Sequence, residues 1–235
     1  MDEKMQFTVD PHWKGMYRLG AFSAFLVVIG YLIQIALFVP VYPFPSEGQA
    51  MLEYLVGKTT VWWAIIGLSV LTDFLYALIA FSLYQALKGI DRNTMVVATG
   101  FKWIFVVLEL AISWPIYTGL ITLSGDYAAA TTEAQRAAYA ATASYATGVL
   151  NSTLLAVYAI LIPALGTLLI GLVMRKGIFS KTTAYLGIVG GALGILSVVG
   201  PLFVPALDPT IIVASLLYTV WFLLVGFRLY RLGQQ

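Results

Sequence analysis

The chain has 235 residues, of which 60% are hydrophobic and only 10% are charged, whereas a soluble domain has roughly 25% charged residues. A mean hydropathy of +0.90 excludes a soluble globular protein and predicts one membrane-embedded unit. The absence of cysteine excludes disulfides and thiolate metal sites, and a single histidine, His12, excludes an imidazole zinc site. The formal net charge of +2 is too small and too dispersed for nucleic-acid binding.

Six stretches of the sequence are long and apolar enough to cross a membrane as helices. A bilayer core needs roughly 20 apolar residues of helix, and uncharged stretches of that length predict an all-α, polytopic helical bundle. We expect this bundle to form a single domain over residues 1–235. The predicted spans are residues 18–39, 60–87, 95–122, 148–174, 183–204 and 209–230.

Lysine and arginine are distributed unequally between the two ends of these spans. Ten of the 13, from Lys4 to Arg231, lie in the tails and in the second and fourth connections, and Lys102 leans to the same side. The opposite side has only Lys58 and Arg136. By the positive-inside rule, we expect a multi-pass protein of the cell membrane with both termini in the cytoplasm.

The first and third loops, on the outer side, carry sequences that predict short surface helices. A capping box at residues 46–49 precedes an apolar face and then Gly57, which predicts a helix lying on the membrane surface. A second capping box at residues 132–135 opens an alanine-rich stretch. We expect this stretch to continue into the fourth span as one long helix with a bend near Gly148 or Pro163.

Two prolines lie in the interior of predicted spans, well away from the span ends. Pro115 lies in the third span and Pro163 in the fourth. Proline has no backbone N–H and its ring clashes with the preceding turn, so each helix is expected to kink at this point. Such kinks widen cavities or act as hinges in membrane proteins.

The fifth span carries small residues at four-residue spacing, which is typical of closely packed membrane helices. The residues of this glycine face are Gly187, Gly190, Gly191 and Gly194. We expect it to pack against other helices of the same chain. The alternative is that it docks a second copy of the chain or a larger membrane complex. Membrane lipid is the other expected partner.

Three ionisable residues fall inside the predicted spans. Asp73 lies near the middle of the second span and Glu109 near the middle of the third. A charged side chain at a helix centre costs on the order of 2.5–3.5 kcal/mol, so both carboxyls are expected to face the bundle interior. Lys102 is separated from Glu109 by a rise of about 10.5 Å, which disfavours an ion pair. We therefore expect its ammonium to extend to the inner membrane interface.

The two carboxyls are expected to differ in depth. Side chains tilt toward the N-terminus of a helix, so Asp73 should reach outward and Glu109 inward. The pair would then pass protons or cations stepwise, or each carboxyl would be a structural hydrogen-bonding group between helices. The polar neighbours expected for this site are Gln34, Ser69, Tyr76, Tyr84, Asn151 and Tyr158.

Two segments resemble a known family. Residues 72–76 (Thr-Asp-Phe-Leu-Tyr) with residues 83–88, and residues 177–188 (Gly-Ile-Phe-Ser-Lys-Thr-Thr-Ala-Tyr-Leu-Gly-Ile), are similar to a bacterial and archaeal family of multi-pass membrane proteins. That family is known only as a domain of unknown function. The resemblance covers most of the chain and implies a six-span prokaryotic membrane protein in which Asp73 is a recurrent position. It implies no substrate, cofactor or catalytic residue.

These features favour small-solute, cation or proton transport through the intramembrane carboxyls. The alternative is a non-catalytic accessory or assembly subunit of a larger complex. An intramembrane enzyme acting on lipid or quinone is less favoured, because no second chemical motif accompanies the carboxyls. The sequence predicts no cofactor and no metal site.

Overall fold

The computed structural model describes residues 11–207 and 209–235, so Lys4, which contributes to the predicted charge asymmetry, lies outside the described residues. In the described ranges the chain is helical and has no strand. It forms eight helices there when the π-helical turns are counted within them, and six are long and apolar enough to span a membrane. The predicted all-α, six-span fold is confirmed.

The helices occupy the following segments. They are α1 (Lys14–Phe38), α2 (Gly48–Leu55), α3 (Thr59–Leu87), α4 (Arg92–Leu108), α5 (Trp114–Ala129), α6 (Glu133–Leu150), α7 (Thr153–Ala156), α8 (Ile162–Met174), α9 (Lys181–Val199) and α10 (Thr210–Leu232). The membrane spans are α1, α3, α4 with α5, α7 with α8, α9 and α10. Their bounds differ from the predicted ones by several residues. The largest differences are at the C-terminal end of the third span and at the start of the fourth.

Helix α1 packs against α3 on one side and α10 on the other, and α9 packs against α8 and α10. Arg18 of α1 donates a hydrogen bond from Nε to the carbonyl oxygen of Gly233, 2.9 Å away, which ties the two ends of the chain together. We call this end of the bundle the terminal end. The opposite end, which holds α2 and α6, is the loop end.

The second predicted capping box is present and the first is not. Thr132 accepts a hydrogen bond from the backbone N–H of Gln135, and the side chain of Gln135 accepts one from the backbone of Thr132. Helix α2 instead begins after Glu47, whose side chain makes no capping bond. Gly48 lies directly against the backbone of α6 at Ser144, so tertiary packing sets the start of α2.

The short helix predicted in the first loop is present as α2, and its apolar face packs against the protein. Its apolar residues Met51, Leu52 and Leu55 are at most 3% exposed. They belong to a second core cluster that includes Trp62 of α3 and Ala143 of α6. The apolar face is therefore buried against the chain's own helices, which removes the driving force for insertion into lipid.

The predicted long helix through α6 and the fourth span is broken. Helix α6 ends at Asn151, and Ser152 caps the next helix by accepting a hydrogen bond from the N–H of Leu155, 3.2 Å away. The expected bend near Gly148 is thus a complete interruption a few residues later. The fourth span begins at Thr153.

Both prolines are preceded by a widened helical turn. Residues Glu109–Ser113 and Val157–Leu161 are π-helical, and they end two residues before Pro115 and Pro163, respectively. The proline ring clashes with the carbonyl four residues earlier, which lies inside the π turn in both cases. A wider turn relieves this clash.

The glycine face of α9 is covered by the chain itself. A Cβ atom on Gly191 would lie 2.7 Å from the backbone nitrogen of Leu168 in α8, and one on Gly187 would lie 2.8 Å from the indole nitrogen of Trp221 in α10. All four residues are buried: Gly187, Gly190, Gly191 and Gly194. The glycine face therefore packs against other helices of the same chain.

Candidate intramembrane polar site

Asp73 lies in the bundle interior, as the cost of a charge in lipid predicts. It is 7% exposed, and its Oδ2 accepts a hydrogen bond of 2.6 Å from the indole nitrogen of Trp114. Trp114 begins α5, the half of the third span nearer the loop end. The side chain of Asp73 therefore joins the second span to the third.

Glu109 is also buried, at 6% exposure, and it is the first residue of the π turn in the third span. Trp114, the hydrogen-bond donor to Asp73, directly follows this turn. At the other end of the same turn, Oγ of Ser113 lies 3.4 Å from the hydroxyl of Tyr158. Tyr158 belongs to the second π turn, so the two irregular turns meet beside Glu109.

The prediction that Lys102 extends to the membrane interface is wrong. Lys102 is 2% exposed, and its Nζ donates to the hydroxyl of Tyr76 at 2.6 Å, the carbonyl oxygen of Pro163 at 2.7 Å and the hydroxyl of Thr167. It lies ten residues after Arg92, or about 15 Å along the helix axis. This distance is more than a lysine side chain can span, so the ammonium is satisfied inside the bundle.

The three oxygens around Lys102 match the donors of an ammonium. A protonated lysine has three N–H donors and no acceptor. The carbonyl of Pro163 can only accept, and the hydroxyl of Thr167 donates its own proton to that carbonyl at 3.0 Å, which leaves its oxygen to accept from Lys102. Nζ also lies 4.8 Å from the ring centroid of Tyr76. Lys102 of α4 is thus held by neutral groups of α3 and α8.

Neither intramembrane carboxyl is paired with this cation. Across the residues that the structure describes, no Asp or Glu oxygen lies within 4.0 Å of the Lys102 ammonium. The predicted absence of a Lys102–Glu109 ion pair therefore agrees with the geometry. In the same described ranges, no three His, Asp or Glu side chains come together as metal ligands.

The structure brings some predicted polar neighbours to the site and leaves one outside it. Gln34 of α1 donates from Nε2 to the hydroxyl of Ser69, 2.9 Å away, and Ser69 lies one helical turn before Asp73. Asn151 does not take part. It is exposed at the loop end, where its side-chain nitrogen lies 3.5 Å from the carbonyl oxygen of Ser46.

Two further members of the site are not among the predicted residues. Trp114 supplies the donor to Asp73, and Thr167 supplies an acceptor to Lys102. An indole or a hydroxyl is uncharged and is tolerated at any depth of a membrane span. Neither residue therefore stands out in the sequence as part of a site. Only the neighbouring proline next to Trp114 marks this part of the third span as irregular.

The comparisons with known proteins agree with this fold. No curated protein and no solved structure matches the chain. One family model, described as a domain of unknown function, matches residues 19–231 and so reaches into all six spans. The resemblance found in the sequence is confirmed. The chain belongs to the membrane-protein family described as Domain of unknown function (DUF4386).

Proposed function

We propose that this membrane protein moves protons or small cations across the membrane through Asp73 and Glu109. One observation carries the proposal. Both carboxyls are buried in the bundle interior, and among the residues described Lys102 hydrogen-bonds to neutral oxygens rather than to either acid. The two acids are therefore free to exchange a proton or a cation.

The cost of burying charge supports this role. A carboxylate without a counter-ion inside a low-dielectric bundle is strongly unfavourable, so each acid takes up a proton or a cation. Asp73 and Glu109 lie on antiparallel spans, and Asp73 bonds to the loop-end half of the third span. Uptake at one acid and release from the other would form the elementary transfer step.

The two π turns support movement around this step. Glu109 begins one of them, and Ser113 and Tyr158 connect it to the other. Single π turns within helices are frequent at functional sites. Because a proline follows each turn, the halves of the third and fourth spans can bend relative to each other without breaking regular hydrogen bonds.

The orientation completes the proposal. The excess of lysine and arginine at the terminal end supports a cytoplasmic location for both termini in the cell membrane. Helices α2 and α6 would then cover the outer end of the bundle. The accessory-subunit alternative is not proposed, because the glycine face on which it depends is buried.

A flux measurement tests this function. Purified protein is reconstituted into liposomes that contain a pH-sensitive dye, and a potassium gradient with valinomycin imposes a membrane potential. We expect the internal pH to change faster than in protein-free liposomes, and Asp73→Asn and Glu109→Gln to return the rate to the protein-free level. Radioactive sodium or rubidium uptake in the same liposomes identifies a cation as the cargo.

Asp126→Asn is the matched control, because Asp126 is an exposed carboxyl of the third span, which also carries Glu109. It should keep the wild-type rate. Each variant must also elute as a single folded species in detergent. Wild-type rates in both Asp73→Asn and Glu109→Gln, or rates of the wild type equal to those of empty liposomes, would overturn the proposed function.

A further inference from the structure

We propose that a groove between α1 and α10 binds an amphipathic organic cation, with its ammonium group at Tyr31 and Gln34 and its apolar body along the helices. This inference rests on the proposed function, because it names the class of cation that reaches Asp73 and the side from which it enters. The cargo would come from the bilayer rather than from the water at either end.

The groove has the size of a ligand site. It encloses about 540 Å³ and lies between residues 31–38 of α1 and residues 211–219 of α10. Sites for small molecules are typically about 300–1,000 Å³, mostly apolar, with a few polar groups. Side chains such as Phe38 and Leu216 form the apolar walls, and Tyr31, Gln34 and Tyr218 form the polar end.

The sequence of the two helices explains why the groove opens toward the loop end. Near the terminal end, a Cβ atom on Gly226 would lie 3.2 Å from Cβ of Ala24, so small residues let α1 and α10 approach closely. Farther along, the rings of Tyr31 and Phe222 pack edge to face with centroids 6.2 Å apart. Bulky residues hold the helices apart beyond this point.

Polar groups at the end of the groove lack hydrogen-bond partners among the residues described. Gln34 uses its amide nitrogen to bond Ser69, but its amide oxygen has no hydrogen-bond partner among the residues described. The hydroxyl of Tyr31 likewise has none within the described part of the chain. The two residues lie three apart on α1 and so share one face. An amide oxygen can only accept, which calls for a ligand with N–H or O–H donors.

Asp73 supplies the charge that selects a cation. Helices α1 and α3 are in close contact at Gly30, where a Cβ atom would lie 2.8 Å from Cγ2 of Thr72. Tyr31 is the next residue of α1 after this contact, and Asp73 is the next residue of α3. Gln34, which lines the groove, bonds to Ser69, one helical turn before Asp73. The residues lining the groove include no lysine or arginine to oppose it. The aromatic rings of Tyr31 and Tyr218 further favour an ammonium.

Photo-labelling of the protein in lipid nanodiscs tests the site. The probe is an alkylamine that carries a diazirine, and the competitors are unlabelled octylamine, octanol and octanoate. We expect labelled peptides from the facing parts of α1 and α10. Octylamine should compete at a concentration about tenfold lower than that of octanol or octanoate, because the charge and the ring faces favour the ammonium.

Two variants probe the groove itself. Ser215→Trp places a bulky side chain in the groove. It should abolish the part of the labelling that octylamine suppresses by competition. Val213→Trp is the matched control, since Val213 is 51% exposed on the same helix and does not line the groove. Asp73→Asn should remove the preference for octylamine over octanol.

The outcomes separate the two proposals. Equal competition by octanol would mean that the groove holds lipid chains without selecting charge, and it would overturn the inference. Labelling outside α1 and α10, or labelling unaffected by Ser215→Trp, would overturn it as well. If labelling fails but proton flux still depends on Asp73, only the proposed cation site is overturned. Selective labelling without any flux overturns the proposed function alone.

Discussion

The ammonium of Lys102 and the hydroxyl of Tyr76 lie 2.6 Å apart in the interior of the bundle and join α4 to α3. Because Lys102 is bound to Tyr76, it does not form an ion pair with the carboxyls of the second and third spans. A lysine held by neutral oxygens leaves Asp73 and Glu109 without a counter-ion, and the proposed function depends on this separation.

Removal of the Tyr76 hydroxyl should destabilise the protein. Tyr76→Phe leaves one N–H of the Lys102 ammonium without an acceptor, and an unsatisfied buried donor costs about 1–3 kcal/mol. The melting temperature in detergent should therefore fall. Tyr230→Phe, at a tyrosine that is 39% exposed, should leave it unchanged. Equal melting temperatures for the two variants would mean that the Lys102–Tyr76 bond contributes nothing.

Replacements of Asp73 should differ according to whether they keep an acceptor for Trp114. In Asp73→Asn the side-chain oxygen can still accept from the indole N–H, whereas Asp73→Ala leaves that buried donor unpaired. The alanine variant should be less stable than the asparagine variant by about 1–3 kcal/mol. Thermal unfolding of both in the same detergent measures the difference. A variant pair of equal stability would contradict the structural role of this bond.

The two kinds of glycine in the spans should respond oppositely to alanine. A Cβ atom at Gly191 would lie 2.7 Å from the backbone nitrogen of Leu168 and 2.9 Å from the carbonyl oxygen of Ala164, and neither atom can move freely. Overpacking should therefore cost Gly191→Ala about 1–3 kcal/mol.

Gly119 of α5 is the matched control, because no atom lies within 4 Å of a Cβ atom built there. Alanine has the higher helix propensity, so Gly119→Ala should be neutral or stabilising by up to about 1 kcal/mol. Unfolding midpoints compare the two variants. A loss of stability that is equal at both positions would show that the glycine face is not tightly packed.

The cap of α4 should make stability depend on pH in the acid range. Hydrogen bonds from Thr94, with its backbone N–H 3.1 Å from Oδ1, and the nearby charge of Lys176 lower the pKa of Asp91. The folded-state pKa lies below the unfolded one, so the contribution of the carboxylate is complete above the unfolded value. It is lost as the pH falls through the folded value.

Asp91→Asn isolates this contribution, because asparagine is also a good helix cap but carries no charge. The wild type should melt at a higher temperature than the variant at neutral pH, and the gap should close as the pH falls below about 4. Melting curves of both proteins across this range provide the measurement. A gap that stays constant with pH would contradict the role of the charge.

Several parts of the site could be predicted from local sequence, and others could not. The cost of a carboxyl in lipid predicts that Asp73 and Glu109 face inward, and both are buried. The same reasoning gave the wrong location for Lys102, because it assumed that only interfacial water could accept hydrogen bonds from the ammonium. Three oxygens from other helices take that role, and the sequence does not state which helices are neighbours.

The short helices show the same limit. The apolar face of α2 is evident in the sequence, but a membrane surface and a protein surface satisfy it equally well. The structure places Leu52 and Leu55 in a cluster with residues of α3, α5 and α6. For the glycine face of α9, four-residue spacing predicts close packing, and tertiary structure supplies α8 and α10 as the packing partners.

The sequence by itself determined the helical class, the six spans, the capping box of α6 and the membership of the family, because length, hydropathy and capping chemistry act within a few turns of one helix. Tertiary structure alone decided the acceptors of Lys102, the donor to Asp73, the meeting of the two π turns and the groove beside Tyr31. Each of these joins residues that lie far apart in the chain. Their proximity depends on how the helices pack. Hydrophobic periodicity does not predict this packing, because membrane helices that are apolar on all faces do not show which face contacts a neighbour.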